Sequence, residues 1–303
     1  REPTIRRTSG IPMTKRMSHM THDTAAPQPD AQPFDAHFSA ETLAALETIA
    51  ATPTLLVALD FDGTLSPLHD QPMEARATPG GAAAVAALAA LPNTIVALVS
   101  GRSLTDLRII AEHEDDSPVY LAGSHGAELR VPEGAADRSA QEDHAPDASA
   151  DEALRDELYA AAVSKWEHLP GVWIEPKRYG FGVHVRLASP EDAAATMAGT
   201  DALVAERAPG WRRRTGHNIV EYSFRHEGKD TALAALREET GATAVFFAGD
   251  DVTDEDAMRT LGAGDLGVRV GDGATAARVR VADPTELAAL LSVMAQMRAA
   301  AQP

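Results

Sequence analysis

Thr54-Leu55-Leu56-Val57-Ala58-Leu59-Asp60-Phe61-Asp62-Gly63-Thr64-Leu65 is the stretch on which the fold turns. Its first half is a short, nearly continuous apolar run, the composition of a strand buried on both faces. Its second half puts two carboxylates and a glycine at that strand's C-terminal end. Residues i and i+2 of an extended segment point to one side, so Asp60 and Asp62 can converge on one site. Gly63 lets the backbone turn away sharply. Ligands of open α/β sheets gather at such strand ends. Two carboxylates in proximity repel, which calls for a cation between them or a proton on one.

The same grammar recurs along the chain. Residues 244–248 (AVFFA) form a second apolar run, followed by Gly249-Asp250-Asp251-Val252-Thr253-Asp254-Glu255-Asp256, with five carboxylates in the seven positions 250–256. Hard oxygen donors suit Mg²⁺. Asp250 and Asp254 are the candidate ligands, while Glu255 and Asp256 suit the first turn of a helix, where negative charge meets the positive dipole end. An EF-hand loop does not fit, because the position that needs glycine holds Glu255. Residues 94–99 (TIVALV) read as another buried strand. After it, Ser100-Gly101-Arg102 offers a hydroxyl and backbone N–H groups that can hold a phosphate at a helix start. Lys229, after Gly228 and before a helix, supplies a fixed positive charge. Helices are expected over 39–50, with Ser39 as N-cap, and over 80–91, 103–112 and 230–240. Strands alternating with these helices predict an α/β fold with a doubly wound parallel sheet.

The middle of the chain breaks that rhythm. Residues 133–157 hold nine acids and two bases and read as a solvated loop leading into a helix. Residues 173–187 alternate as an antiparallel strand pair does, around Tyr179-Gly180, and 219–224 suggest a further strand. The expected organisation is a disordered tail over 1–37, a core over 38–130 and 228–303, and an inserted α+β domain over 131–227.

Composition bounds the function. The chain has 303 residues, 27 Lys+Arg against 45 Asp+Glu, a net charge of −18, and no cysteine. Disulfides, thiolate catalysis and zinc–cysteine sites are excluded, and a generic nucleic-acid surface is disfavoured. The longest apolar run, Ala82–Leu91, falls short of the roughly 18 residues of a membrane helix. No 7–15-residue apolar segment follows the basic N-terminus, so no secretory leader is expected. Gly262-Ala263-Gly264-Asp265-Leu266-Gly267 follows a helix and precedes a strand, the wrong order for a dinucleotide fingerprint. Trp211-Arg212-Arg213-Arg214 reads as a solvated edge of the inserted domain.

Taken in order, Asp-x-Asp-Gly-Thr, a Ser, a Lys and Gly-Asp-Asp resemble the motif set of the haloacid dehalogenase superfamily of phosphotransferases. Within it, the chain is similar to the trehalose-6-phosphate phosphatases. The more specific strings are 249–258 (GDDVTDEDAM), 123–129 (GSHGAEL) and Glu175-x-Lys177 with His184-Val185-Arg186. The resemblance covers about 54–290.

The resemblance implies Mg²⁺-dependent hydrolysis of trehalose 6-phosphate. Asp60 would be the nucleophile that forms an aspartyl-phosphate. Asp62 would protonate the leaving sugar oxygen and later deprotonate water. Ser100 and Lys229 would bind the phosphoryl oxygens. The metal would be held by Asp60, Asp250, the backbone carbonyl of Asp62 and, as a further candidate, Asp254. The insertion would be a cap over the sugar, and Arg102, His125, Glu175, Lys177, Arg186, His217 and Glu221 would contact the substrate. His125 reads equally as a sugar contact or a structural hydrogen-bonder. His217 stands where the family often has Lys, and Tyr222 follows Glu221 where Arg or Pro is common. Two alternatives stay open: another sugar phosphate as substrate, such as a sucrose or glucosylglycerol ester, or a catalytically silent phospho-sugar sensor. A cytoplasmic monomer without nucleic-acid or membrane partners is expected.

Overall fold

The computed structural model describes residues 38–132, 148–216 and 218–301. The tail expected over 1–37 lies outside the described residues, as do 133–147 and His217. The strands, in chain order, are β1 (Leu55–Leu59), β2 (Thr94–Val99), β3 (Tyr120–Gly123), β4 (Glu128–Arg130), β5 (Trp173–Lys177), β6 (Gly180–His184), β7 (Arg212–Gly216), β8 (Ile219–Ser223), β9 (Ala244–Gly249), β10 (Leu266–Val270) and β11 (Val279–Val281). The helices are α1 (Ala40–Ala50), α2 (Pro79–Ala89), α3 (Leu104–Ile110), α4 (Ala148–Trp166), α5 (Pro190–Arg207), α6 (Lys229–Thr240), α7 (Val252–Thr260) and α8 (Pro284–Ala301).

β1 is buried at every position. Leu55, Val57 and Leu59 enter one apolar layer, and Leu56 and Ala58 enter the other. A strand with no polar position has no face to offer water, so helices must cover both sides. Residues of α1, α2 and α8 fill the first layer, and residues of α6 and α7 fill the second. The seven-stranded sheet has the order β11-β10-β9-β1-β2-β3-β4, parallel except for the last pair. The antiparallel edge strand β4 overlaps the end of the 123–129 string and has no apolar run that would have announced it.

Register decides where chemistry can occur. Leu59 lies opposite Leu98 of β2 and Ala248 of β9, so Asp60, Ser100 and Asp250 all leave the sheet at one edge. The strand order departs in opposite directions on either side of β1, toward β2 and toward β9. The crevice at such a reversal is where open α/β sheets bind ligands.

A second sheet, β5-β6-β8-β7, is antiparallel throughout. Ile174, Phe181, Val183, Val220 and Tyr222 turn to one face and pack with Leu158 and Ala162 of α4 and Val204 of α5. The period of two therefore sends Glu175, Lys177, His184 and Glu221 to the other face. One cross-strand row on that face runs Glu175, Gly182, Glu221, Arg214. The same alternation corrects the reading of 211–214 as a solvated edge. These residues enter β7, where Arg213 stays exposed and pairs with Asp201, while Arg214 turns inward and is only 9% exposed.

Arg298 of α8 is wholly buried, and among the described residues it has no carboxylate partner. Its guanidinium donates to the carbonyls of Ala50, Thr52 and Asn93 and to the Thr94 hydroxyl. It thereby joins the end of α1 to the start of β2.

Candidate active site

Asp60 extends the ladder one step beyond β1, its N–H donating to the Ala248 carbonyl at 2.9 Å. Its carboxylate is 4% exposed and lies 2.7 Å (Oδ1) from Lys229 Nζ. Lys229 is the first residue of α6, and its ammonium also donates to Asp254 Oδ1 at 2.6 Å. The other oxygen of Asp254 accepts the N–H groups of Asp250 (3.0 Å) and Asp251 (2.9 Å). Asp254 thus closes the first turn of α7 and holds Lys229 with the same carboxylate. Thr64 Oγ1 donates to Asp250 Oδ1 at 3.0 Å, tying the first acidic strand end to the second.

Gly63 is required twice over. Its φ of +77° is strained for any side chain, and a Cβ there would lie 2.1 Å from Asp250 Oδ2. Ser100 is buried, and its Oγ accepts the Arg102 N–H at 3.2 Å. Arg102 grips Asp62 through Nε and Nη2, both at 2.6 Å, and so occupies both carboxylate oxygens.

A second cluster faces this one from the smaller sheet. Lys177 Nζ contacts Glu221 Oε1 at 2.7 Å and Glu175 Oε2 at 3.3 Å. His125 Nε2 meets Glu221 Oε2 at 2.8 Å, and His184 Nε2 meets Glu175 Oε2 at 2.9 Å. His125 belongs to the larger sheet's loops, and its N–H donates to the Ser100 carbonyl at 2.9 Å. It holds a left-handed conformation, φ 59°, and its ring leaves no room for a Cβ on Gly101. The two clusters therefore adjoin through Ser100, Gly101 and His125. Arg186 stands apart, exposed, 3.5 Å from Asp70. His217 is outside the described residues.

Electrostatics separate the clusters. Around Asp60, three carboxylates share one buried ammonium. Burial pushes the Asp60 carboxyl well above its usual range; Lys229 pulls it back, and Asp254 and Asp250 push it further up. Asp250 is raised to about 6 by burial and by Asp254. Lys229 goes up despite burial, because Asp254 and Asp60 flank it. This is an excess of negative charge in a dry crevice. Around Glu221 the balance is reversed: burial would raise its carboxyl, but Lys177 and His125 hold it well below the usual range.

Oxygens of Asp60, Asp250 and Asp254 lie within 4.8 Å of one another. Hard donors with surplus negative charge fit a divalent cation. Asp254 has both oxygens bonded already, whereas Asp250 accepts the Thr64 hydroxyl at Oδ1 and lies against Asp60.

Sequence reasoning missed two supports of this site. Glu255 suits the helix dipole, yet it is 5% exposed and accepts the Ala276 N–H at 2.8 Å. Arg269, beside Glu255, donates to the Asp251 carbonyl at 3.0 Å and braces the acidic loop from below. The signal available was an arginine inside the apolar run of β10, a place where an unpaired charge is costly. A larger cavity, about 460 Å³, lies between α2 and the 111–119 loop with Phe61 and Leu65 in its lining, away from the convergent carboxylates.

The family profile described as trehalose-phosphatase matches residues 58–281, which include both acidic strand ends and the whole smaller sheet. The chain belongs to the trehalose-phosphatase family. The trehalose-phosphate phosphatase of Mycobacterium ulcerans (strain Agy99) is 32% identical over 250 residues, 78% of this chain and 60% of that protein. The chain thus spans about 60% of the length of such trehalose-phosphatase relatives. The trehalose-6-phosphate phosphatase C-terminal domain of C. albicans shares the fold, with a TM-score of 0.67 at 19% identity, covering 85% of this chain and 97% of that one. An Aspergillus fumigatus trehalose-6-phosphate phosphatase gives a TM-score of 0.59 at 25% identity, covering 86% of this chain and 98% of that one. The α/β core expected from the sequence is present, with a second, antiparallel sheet whose strands fall between β4 and β9. Among the described residues, no helix is long and apolar enough to cross a membrane.

Proposed function

We propose that the protein hydrolyses trehalose 6-phosphate to trehalose and phosphate, with Mg²⁺, through a phosphoryl group carried on Asp60. The observation that carries this reading is the buried Asp60 carboxylate 2.7 Å from Lys229, among further carboxylates at one strand-end crevice. Family membership supports the substrate.

Lys229 engages one oxygen of Asp60 and leaves the other to attack phosphorus. As that bond forms, the bond from phosphorus to the sugar oxygen breaks, and Asp62 gives the leaving oxygen its proton. Asp62 then takes a proton from water, whose oxygen attacks the phosphoryl group and returns Asp60 as a carboxylate. Arg102 occupies both oxygens of Asp62, so substrate arrival must loosen this grip before Asp62 can carry its proton. Ser100 and Lys229 bind phosphoryl oxygens, and Asp254 keeps Lys229 aimed. Asp60, Asp250 and the Asp62 main chain would hold Mg²⁺, which would supply charge neutralisation between an anionic nucleophile and an anionic ester.

The 131–227 segment acts as the cap. Glu175, Lys177, His125 and Glu221 contact sugar hydroxyls, Arg186 and His217 also contact the sugar, and Arg102 contacts the ester. The cavity where Gly101 and His125 meet Lys177 and Glu221 is only about 30 Å³, far too small for a disaccharide. Binding therefore separates them and exchanges the internal partners of Glu221 for sugar hydroxyls.

Phosphate release over a panel of sugar phosphates tests the reading. Trehalose 6-phosphate is expected to give the highest kcat/KM. A tenfold preference for another ester would reject the substrate. Asp60→Asn should abolish turnover with the fold intact, Asp62→Asn should cost about 10²–10⁴-fold in kcat, and EDTA should stop a reaction that Mg²⁺ restores.

A further inference from the structure

Arg214 is a buried charge at the cleft that the reaction scheme leaves unused. It occupies the cleft-facing row of the smaller sheet, directly across from Glu221, in line with Gly182 and Glu175. It is 9% exposed and borders the small cavity with Gly101, His125, Lys177 and Glu221. Its Nη2 is buried and has no hydrogen-bond partner.

The reason lies across the strand. Glu221 is the natural partner of Arg214, but Lys177 takes one of its oxygens and His125 the other. Among the described residues, no other carboxylate forms an ion pair with Arg214. Arg212 alongside adds repulsion, and with burial it lowers the Arg214 guanidinium to about 10, which leaves it charged at neutral pH. A buried guanidinium without acceptors is costly, and such groups are retained where something else supplies the acceptors.

We infer that Arg214 is a specificity-determining residue that donates hydrogen bonds to hydroxyl oxygens of the sugar moiety once the cap has opened to admit it. The inference rests on the sugar-phosphate reading above. Glu175 and Glu221 are acceptors for hydroxyl protons, and Arg214, with five N–H donors and no acceptor, completes the row with the opposite polarity. A polyhydroxylated ligand needs both. Unlike Lys177 and His125, Arg214 gives up no internal partner when the ligand arrives, so its contact adds fully to binding.

The test compares Arg214→Met and Arg214→Lys with the wild type on trehalose 6-phosphate and on p-nitrophenyl phosphate, which has no sugar. Arg214→Met should lower the ratio of the two kcat/KM values at least tenfold, chiefly through KM for the sugar ester, and Arg214→Lys should recover part of it. The ligand-free Tm of Arg214→Met should equal or exceed that of the wild type, since an unpaired buried charge is removed. Equal losses on both esters would place Arg214 at the phosphoryl group and overturn the inference. An unchanged ratio, or a Tm that falls, would overturn it too. If the wild type prefers a different sugar phosphate, the substrate proposed above fails, while the Arg214 ratio is read on that ester instead.

Discussion

Gly63 and Asp250 are packed so closely that a Cβ on the glycine would fall 2.1 Å from the aspartate Oδ2. The first acidic strand end is thus shaped around the second. Gly63→Ala strains a left-handed backbone and displaces a candidate metal ligand in one step. We expect kcat/KM for the sugar phosphate to fall by about 10–100-fold or more, with a raised Mg²⁺ requirement. Far-UV circular dichroism should remain unchanged, and Mg²⁺-dependent phosphate release measures the loss.

The acidic crevice makes metal-free stability depend on pH. Asp250, at about 6 in the folded protein, sits above its unfolded value of about 3.9. The folded state therefore binds more protons between those values, and this contribution is lost as pH rises through 6. His125, lowered by burial, acts in the opposite sense, so the term is best isolated by substitution. In EDTA, Asp250→Asn should raise Tm at pH 7.5 and give little or no gain at pH 4. An equal gain at both pH values would contradict the raised carboxyl.

Arg269 braces the Asp251 carbonyl and pairs with Glu255. Arg269→Gln should loosen the loop that carries Asp250. The half-activating Mg²⁺ concentration is expected to rise about tenfold, in the range typical for lost outer-shell partners. The kcat at saturating Mg²⁺ should change far less. Activity titrated against Mg²⁺ separates the two quantities.

Arg298 has a different job, since its partners among the described residues are neutral oxygens at the end of α1 and the start of β2. Arg298→Met leaves three carbonyls without their charged donor. The expected cost is about 3 kcal/mol of stability, or a Tm lower by on the order of 5–10 °C. Thermal melts should show this with the KM for the sugar phosphate unaltered.

The core was readable because its strands are buried on both faces. A continuous apolar run such as 55–59 has one interpretation once acids and a glycine follow it, and the strand edge carrying Asp60, Ser100 and Asp250 follows from strand order. The smaller sheet was harder to read. Ile174, Phe181, Val183, Val220 and Tyr222 give β5, β6 and β8 a packed face, but β7 begins Arg212-Arg213-Arg214 and has no large apolar residue. Which arginine turns inward depends on register against β8, and composition alone does not carry register. Glu255 was opaque for a related reason. An acid in a helix's first turn satisfies a local rule whether it meets water or Arg269, and only the packing of α7 on the sheet decides. The partners of Asp254 depend on a lysine 25 residues upstream, beyond any local pattern.

The pairing of β1 with β9 has a consequence for how the chain folds during synthesis. Thr54 and Thr243, which meet at the foot of these strands, are 189 residues apart. A nascent chain leaving the ribosome can close the β5-β6-β8-β7 sheet early, because its strands all lie within 173–223. It cannot seat Asp60 beside Lys229 and Asp250 until the last third has been synthesised. Long-range parallel pairing is slow. The smaller sheet can thus form before β1 pairs with β9, and Leu55–Leu59 waits for that second partner, which makes it a segment at risk of aggregation during synthesis.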